Sequence, residues 1–295
     1  MKASIIITNY NGKELLEKNL PAVISAKNNP KNNIQEIIVV DDFSTDDSLI
    51  YLNSLKSEIN LIKHTKNRGF SATTNTGARS AKGDLLVLLN NDVSPSHDFL
   101  ISIQKLFNDD KKLFGISMHE RGYGPAVGNF KDGYIELSMG KEDNKSKRSF
   151  YVSGGSGVFK KEVWKELGGL DENLLSPYYW EDLDLCYRAY KQGYYCLWDP
   201  DSKVNHKHES TISKLNQKKV DIIRERNQLL MIWKNIHSPN MFKKHLRGVI
   251  KRVFEHPGYI KIVFFALLKL SVLIKERKKQ KKASIVSDEA VFLKI

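Results

Sequence analysis

The sequence is poor in cysteine and in long hydrophobic runs. Its cysteines are Cys186 and Cys196, whose spacing fits neither a zinc motif nor a disulfide-rich secreted domain. We therefore expect a reducing, cytoplasmic compartment. The apolar run after Met1 is too short to predict a signal peptide. In the apolar C-terminal region the longest charge-free stretch is Ile262–Leu268, well below the ~20 residues of a spanning helix. A polytopic membrane protein is excluded.

Three common phosphate- and metal-binding motifs are also missing. The chain has no G-x-x-x-x-G-K-[ST] loop and no H-E-x-x-H helix, and no G-x-G-x-x-G follows the first predicted strand. These absences argue against a P-loop enzyme, a zinc protease of that class and a dinucleotide-binding Rossmann domain. If the chain handles phosphates, a bound metal ion is the natural substitute for a glycine-rich loop.

Positive charge is in excess but unevenly distributed. The 47 Lys and Arg residues and 34 Asp and Glu residues give a net charge of +13. Residues 1–202 hold 25 basic and 27 acidic side chains (net −2), whereas residues 203–295 hold 22 and 7 (net +15). This asymmetry predicts a C-terminal segment with a partner of its own. A solvated basic helical face is the alternative.

Apolar strands and helices alternate along the first hundred residues. The spacing predicts strands over Ala3–Ile7, Ile34–Val40, Ile59–His64 and Leu85–Leu89, separated by helices over Gly12–Lys27, Asp46–Leu55 and Phe70–Ala81. Such alternation is typical of βαβ units. We therefore predict an α/β fold with a mostly parallel central sheet, flanked by helices and buried on both faces.

The pattern is less regular after residue 98. Residues 120–148 predict a loop or a hairpin insertion, and a strand is predicted over Tyr194–Trp198. Helices are predicted over Lys160–Leu167 and Glu181–Lys191. From about residue 213 to residue 282 the spacing indicates helix, with breaks near Ser238-Pro239 and His256-Pro257-Gly258.

Acidic and amide side chains follow three of the predicted strands. Thr8-Asn9-Tyr10-Asn11, Asp41-Asp42-Phe43-Ser44 and Asn90-Asn91-Asp92 stand where each strand ends. Ligands of open α/β sheets bind at the carboxyl ends of the strands. Turns and helix caps also favour Asp, Asn and Ser, so Ser44 can be a cap. For Asp41 and Asp92, a functional role is favoured.

Five ordered motifs resemble those of the family 2 glycosyltransferases, including bacterial rhamnosyltransferase-like members. They are SIIITNYNG, IIVVDDFSTDDS, NRGFSATTNTGARSAKGDLLVLLNNDV, SGGSGVFKKEVWKELGGLDE and YWEDLDLCYRAYKQGY. The resemblance covers roughly residues 2–211 and implies the GT-A fold. It implies a catalytic domain over 1–212, with a nucleotide-binding half (1–97) and an acceptor and catalytic half (98–212). Residues 213–295 form a basic helical extension.

The resemblance also implies a set of donor-binding residues. Asp41 would accept the N3–H of a uracil or thymine ring, so the donor is a UDP- or dTDP-sugar. Tyr10 would pack on that base, although it can also be a rim tyrosine. Arg68 would reach the base or the diphosphate, or be an exposed turn arginine. The full set is Thr8, Tyr10, Asp41, Arg68, Asn75, Asn90, Asn91, Gly154 and Gly155.

The segment Asn90-Asn91-Asp92 stands at the position of the family's D-x-D metal motif. Asp92 is the expected direct ligand of Mg²⁺ or Mn²⁺, ions that prefer oxygen ligands. Asn90 replaces the first acid of the motif, and an amide is the weaker ligand. His206 is expected to complete the metal shell by its position in the motif, with His208 as the reserve.

An acidic pair, Glu181-Asp182, begins a predicted helix. Acidic residues at a helix start are stabilised by the helix dipole, which explains their presence in part. The resemblance makes Asp182 the catalytic base of an inverting transfer, assisted by Glu181. Asp184 and Arg188 stand at i, i+4 and are interpreted as a structural ion pair.

These assignments predict a metal-dependent inverting transferase that moves a sugar to a glycan or lipid-linked acceptor in bacterial surface polysaccharide synthesis. The alternative is a non-catalytic subunit that binds a sugar nucleotide or a glycan. No nucleic-acid partner is predicted, because the basic tail lacks a recognised module. Residues 257–282 combine an apolar face with a polybasic run, which predicts peripheral binding to the anionic inner face of the cell membrane. Packing on the catalytic domain, or on a second subunit in a homodimer, is the alternative.

Overall fold

A central β-sheet forms the core of the computed structural model, which describes residues 1–206 and 216–293. Its first half is parallel, in the order β3-β2-β1-β4. The strands are β1 (Ala3–Asn9), β2 (Ile34–Asp41), β3 (Asn60–Lys63) and β4 (Leu85–Asn90), and the helices that connect them are α1 (Lys13–Lys27), α2 (Ser48–Ser54) and α3 (Phe70–Ser80). The predicted βαβ alternation is confirmed.

The second half of the sheet mixes strand directions. After β4 the order is β10-β6-β11-β5, with β9 beside β11. The elements are β5 (Val93–Pro95), α4 (Ile101–Asp109), β6 (Leu113–Glu120), β7 (Ala126–Lys131), β8 (Tyr134–Met139), β9 (Lys147–Arg148), β10 (Ser156–Lys160), α5 (Lys161–Leu167), α6 (Glu181–Lys191) and β11 (Tyr195–His206). Strands β7 and β8 form the predicted hairpin insertion.

Strand β10 is antiparallel to both of its neighbours, so the whole sheet is mixed rather than mostly parallel. Strands β6 and β11 pair in parallel, whereas β5 and β9 are antiparallel to β11. Because β10 runs backwards, its first residue, Ser156, pairs with Leu89 at the carboxyl end of β4. The Gly154-Gly155 turn is thereby brought to the edge where Asn90 and Asp92 lie.

The sheet is buried on both faces, as its isoleucine-rich strands predict. Successive side chains of a strand point to opposite faces. Ile5 and Ile7 accordingly pack with Leu16 and Leu20 of α1, whereas Ile6 packs in the second core on the other face. At about 25 cal/mol per Å² of buried apolar area, these two cores provide the main favourable contribution to folding.

The C-terminal helices are part of the second core. They are α7 (Gln217–Asn235), α8 (Pro239–Glu255), α9 (Ile260–Leu267), α10 (Leu270–Ala283) and α11 (Asp288–Leu293). Leu229, Leu230 and Ile232 of α7 are fully buried among residues of α5 and α6. The predicted breaks are confirmed, but α7 packs against α5 and α6, within the region predicted to precede the extension. The predicted division between residues 212 and 213 lies outside the described residues.

A membrane-spanning helix must be long and apolar along its whole length. No single one of the described helices is long and apolar enough to cross a bilayer. Pro257–Leu267 and Leu270–Ala283, bent by 71° at their junction, meet the requirement only as a pair.

A buried histidine joins the β7–β8 hairpin to the C-terminal helices. His245 of α8 is fully buried. Its Nδ1 lies 2.7 Å from the carbonyl oxygen of Gly133, and Trp233 Nε1 donates to its Nε2 at 2.8 Å. A carbonyl only accepts and an indole only donates, so the ring is neutral with its proton on Nδ1. Burial therefore lowers the pKa of His245 to about 4, although the bond to Gly133 opposes the shift.

We expect His245 to make folding sensitive to acid. Its folded pKa of about 4 lies below the ordinary value of about 6.5, so its stabilising contribution is complete above pH 6.5 and is lost as the pH falls toward 4. At pH 5 the loss is about 2 kcal/mol. Urea unfolding at pH 7.5 and pH 5 should show a smaller acid loss in His245→Gln than in the wild type.

The matched control is His256→Gln, because His256 is exposed. It should keep the acid sensitivity of the wild type. Equal acid losses in the wild type and in His245→Gln would show that other groups cause the effect.

Candidate active site

A cavity of about 540 Å³ lies at the carboxyl ends of β1 and β4. The Gly154-Gly155 turn and the segment that leads into α6 close its other side. Nine of the thirteen predicted site residues line it: Thr8, Tyr10, Asn90, Asn91, Asp92, Gly154, Gly155, Glu181 and Asp182. The fold therefore assembles polar groups from both predicted halves of the catalytic domain around one space.

Asp41 lies behind the cavity wall, contrary to the predicted contact with the donor base. Its carboxylate is 1% exposed and accepts hydrogen bonds from Asn9 Nδ2 (2.9 Å), Ser44 Oγ (2.6 Å) and the Ser44 backbone N–H (2.9 Å). The neighbouring Asp42 lines the cavity instead. Successive side chains at a strand end point to opposite sides, so only one of two adjacent acids can face the cavity.

Asp42 also organises the loop that precedes α3. Its carboxylate accepts the backbone N–H groups of Arg68 (2.9 Å) and Gly69 (2.8 Å), and His64 Nδ1 lies 2.7 Å from its Oδ1. These contacts hold Asn67, Gly69 and Phe70 on the cavity wall.

Arg68 and Asn75 lie outside the cavity lining, because both side chains are held by the segment after α5. The Arg68 guanidinium pairs with Glu172 at 3.2 Å. The Asn75 amide is 4% exposed; it donates to Leu170 O and to Glu172 Oε1, both at 2.8 Å, and its Oδ1 accepts the Leu170 N–H. In this arrangement Asn75 ties α3 to the segment after α5.

The Gly154-Gly155 turn approaches the end of β4 closely. The Asn90 N–H donates to the Gly155 carbonyl at 2.9 Å. A Cβ atom added to Gly155 would lie 2.5 Å from Asn90 Nδ2, and one added to Gly154 would lie 3.2 Å from the ring of Phe70. Glycine is required here because of this close approach. The Asn90 amide can therefore lie at the cavity wall.

Asp92 has the features of a metal ligand. Its side chain is 2% exposed, and apart from the imidazole of His206 its carboxylate has no polar partner of hydrogen-bonding geometry. Such a group is costly to bury unless a cation compensates its charge. His206 Nε2 lies 3.2 Å from Asp92 Oδ1. Neighbouring ligands of an octahedral ion with bonds of about 2.1 Å lie about 3 Å apart, so the pair fits Mg²⁺ or Mn²⁺.

The surroundings of this pair are incomplete as a metal shell. His206 Nδ1 lies 3.4 Å from Glu120 Oε2. Burial lowers the pKa of His206, but Asp92 and Glu120 more than offset this, and the pKa is raised overall. No cluster of three or more His, Cys, Asp or Glu side chains arranged to hold a metal occurs within residues 1–206 and 216–293. His208, the predicted reserve ligand, lies outside the described residues.

The acidic pair at the start of α6 has two different environments. Glu181 is 6% exposed, and its Oε2 has no hydrogen-bond partner. Burial, and the neighbouring Asp182, raise its pKa well above the usual range. Burial also raises the pKa of Asp182, but its carboxylate accepts the N–H groups of Leu183 (2.7 Å) and Gly154 (3.3 Å). These donors favour the ionised form of Asp182, whereas burial without a partner for Oε2 favours the neutral form of Glu181.

The residues that sequence reasoning missed form mainly the aromatic side of the cavity. Phe70, Tyr178 and Tyr179 face it, and the remaining additions are Asn9, Asp42, Asn67, Gly69, Thr73, Ser153 and Pro177. The aromatic residues directly before Glu181 could have been predicted to line the cavity, because they belong to the segment that places Glu181 and Asp182 there. Phe70 stands at the start of α3, a helix of small residues, and no sequence pattern indicated that it lines the cavity. The interpretation of Asp184 and Arg188 as an ion pair is confirmed, at 2.9 Å and fully buried.

The sequence and the fold were compared with known proteins. Residues 4–168, more than half of the chain, match the family model described as "Glycosyl transferase family 2". The chain is 26% identical over 235 residues to N-acetylgalactosaminyltransferase 7 of Drosophila melanogaster, which covers 70% of this chain and 39% of that protein. It is also 26% identical over 200 residues to the GalNAc(5)-diNAcBac-PP-undecaprenol beta-1,3-glucosyltransferase of Campylobacter jejuni. That alignment covers 65% of this chain and 60% of that protein. The chain thus spans less than two thirds of either relative.

A solved structure shares the fold. GalNAc-T7 with UDP, GalNAc and Mn²⁺ superposes with a TM-score of 0.65 at 18% identity, over 88% of this chain and 57% of that one. The architecture is the GT-A fold, a mixed sheet flanked by helices, which confirms the predicted fold class.

We expect the Asp92 carboxylate to couple metal binding to stability. Mn²⁺ together with UDP should raise the melting temperature of the wild type in differential scanning fluorimetry. Asp92→Asn should lose most of this increase, because an amide oxygen is a weaker ligand. The melting temperature of each protein without metal is the reference, because the substitution also removes the 3.2 Å pairing of Asp92 with His206.

The control for this measurement is Asp98→Asn, an exposed carboxylate that should leave the metal response unchanged. A full Mn²⁺ and UDP response in Asp92→Asn would rule out Asp92 as the ligand.

Proposed function

The chain belongs to glycosyl transferase family 2, and on this basis we propose that it is a metal-dependent, inverting sugar transferase. Its donor is a UDP- or dTDP-sugar, and its acceptor is a glycan or a lipid-linked glycan of a bacterial surface polysaccharide. The proposal is carried by one observation: a buried carboxylate paired with a histidine, Asp92, and an acidic pair with divergent environments, Glu181 and Asp182, line the same cavity.

The donor nucleotide occupies the side of the cavity formed by the strand ends. Tyr10, 38% exposed, offers a ring for the pyrimidine. Asp42 takes the base-facing role first expected of Asp41, because it is the acid of the two that lines the cavity. Thr8, Asn90 and Asn91 line the same cavity as Asp92 and are assigned to the ribose and the diphosphate. Asp92 and His206 would hold the divalent cation, which neutralises the charge that develops on the leaving diphosphate.

Asp182 acts as the general base. It removes the proton of the acceptor hydroxyl, whose oxygen forms a bond to the anomeric carbon from the side opposite the nucleotide. The bond between that carbon and the diphosphate oxygen breaks, and its electron pair leaves with the nucleoside diphosphate. The raised pKa of Asp182 makes it a better proton acceptor than an exposed carboxylate. No covalent intermediate is required, and the configuration at the anomeric carbon inverts.

We expect Asp182→Asn to lower kcat by about 10²- to 10⁴-fold, the usual contribution of a general base. Binding of UDP should change little, because the substitution preserves the shape of the side chain. The measurements are release of nucleoside diphosphate from a panel of UDP- and dTDP-sugars, and calorimetric titration with UDP. Asp109→Asn, an exposed acid on α4, is the control. A wild type that binds UDP but never turns over any donor would favour the non-catalytic alternative.

We also propose that the C-terminal helices hold the protein against an anionic membrane surface. Leu246, Ile250 and Phe254 stand at i, i+4 and i+8 on α8 and are 46%, 57% and 82% exposed. The turns of α9 and α10 add Ile260, Phe264, Phe265, Leu267, Leu268, Leu270, Val272 and Ile274, all at least 37% exposed. Lysines such as Lys261, Lys275 and Lys278 accompany them. Apolar side chains beside a polybasic run suit an acidic lipid surface.

Vesicle sedimentation tests this membrane proposal. The wild type should bind vesicles that contain a third of phosphatidylglycerol, and should bind phosphatidylcholine vesicles far less. The double variant Phe264→Ser/Leu268→Ser should lose most of this binding, because it removes two of the exposed apolar side chains. The control Ile50→Ser changes a residue that is 72% exposed on α2 and should bind like the wild type. Unchanged vesicle binding in the double variant would overturn the proposal. A smaller oligomer in the double variant, without a loss of vesicle binding, would also overturn it and would favour a subunit interface.

A further inference from the structure

The segment that carries the acidic pair into the cavity has an unfavourable backbone conformation. Tyr179 and Trp180, directly before Glu181, have φ angles of 72° and 76°. Left-handed backbone is disfavoured for residues with a Cβ atom, most of all for bulky ones. Two such residues in succession persist only where the surroundings hold them in place. The structure must therefore contain a restraint on this segment.

That restraint comes from α7, about fifty residues further along the chain. The side-chain amide of Asn227, which is fully buried, donates to the carbonyl oxygens of Leu175, Tyr178 and Tyr179, at 2.5, 2.9 and 3.0 Å. The two N–H bonds of a single NH₂ group are thus shared among three carbonyl oxygens of one loop. The loop between α5 and α6 is bent around this point.

The neighbouring arginine fixes the orientation of that amide. Arg226 Nε and Nη2 donate to Asn227 Oδ1 at 3.0 and 2.7 Å. Nη2 also donates to the carbonyl of Ser176 at 2.7 Å. Since a guanidinium only donates, the amide oxygen must face Arg226 and the NH₂ group must face the loop. All four peptide carbonyls come from residues 175–179, the segment immediately before Glu181 and Asp182.

We propose that Asn227 is a positioning residue for the transfer reaction, which acts through residues 175–180 to hold the Asp182 carboxylate in place. This inference rests on the proposed role of Asp182. Asn227 does not line the cavity, and the strand ends proposed to hold the nucleotide are formed by other elements. Its removal should therefore affect the rate of transfer more than the binding of nucleotide.

The test compares Asn227→Ala and Asn227→Asp with the wild type. The second variant keeps an oxygen for Arg226 but removes the three donated hydrogen bonds. We expect kcat to fall about 10- to 100-fold in both, the scale of a small misplacement of a catalytic group, while the Kd for UDP stays within about threefold. Hydrogen–deuterium exchange should become faster in residues 175–184 and remain unchanged in β1 and β4.

Two further variants keep the inference falsifiable. Leu230→Ala, at another fully buried position of α7, should lower stability but leave kcat near the wild-type value below its melting temperature. Arg226→Met frees the amide to rotate without deleting it, so it should give a smaller fall in kcat, and it remains informative where Asn227→Ala fails to fold.

The possible outcomes separate this inference from the proposed function. A wild type without turnover on any donor overturns the proposed function, and the exchange measurement still tests whether Asn227 restrains the loop. Folded Asn227 variants with wild-type kcat and unchanged exchange in residues 175–184 overturn the positioning role. A fall in kcat equal to that of Leu230→Ala also overturns it, because the effect would then follow from general destabilisation.

Discussion

The arrangement of the catalytic half depends on one buried carboxylate, Asp184. It is fully buried and accepts hydrogen bonds from Arg188 Nε (2.9 Å), Lys234 Nζ (2.8 Å) and Asn235 Nδ2 (2.7 Å). Lys234 also reaches Asp171 at 2.7 Å; burial opposes ionisation of that acid, yet Lys234 lowers its pKa to about 2. Breaking such a buried network by removing one partner typically costs about 3–5 kcal/mol. The network therefore fixes α6 against α7 firmly, two residues after the proposed base.

This attachment explains how distant segments build one cavity. The strand ends of β1 and β4 provide its polar side, and the reversed direction of β10 brings Gly154 and Gly155 beside Asn90. The aromatic side comes from the segment before α6, which α7 holds through Asn227. The C-terminal helices thus pack against α5 and α6, while their outer surface exposes apolar and basic side chains.

Much of the fold was predictable from the sequence, because strands buried on both faces leave uninterrupted apolar runs such as Ile5–Ile7 and Leu85–Leu89. The reversed strand β10 was not, since a short apolar segment carries no signal of its direction. Nine of the predicted site residues line the cavity. They could be predicted because strand ends, glycine turns and helix starts are local features of the sequence. Asp41 and Asn75 do not, because a neighbouring side chain or a distant loop satisfies each of them. Which of the adjacent acids Asp41 and Asp42 faces the cavity depends on the backbone conformation at the end of β2.

The sequence alone determined the alternation of strands and helices, the family motifs, the polar ends of β1, β2 and β4, and the concentration of positive charge after residue 203. These are properties of residue order and spacing, which local periodicity and composition express directly. The tertiary structure alone decided which polar groups meet, that Asp92 is buried beside His206, and that α7 packs against α5 and α6. Those outcomes depend on contacts between residues tens of positions apart. Each buried polar group needs a hydrogen-bond partner, and the identity of that partner is set only when the chain folds.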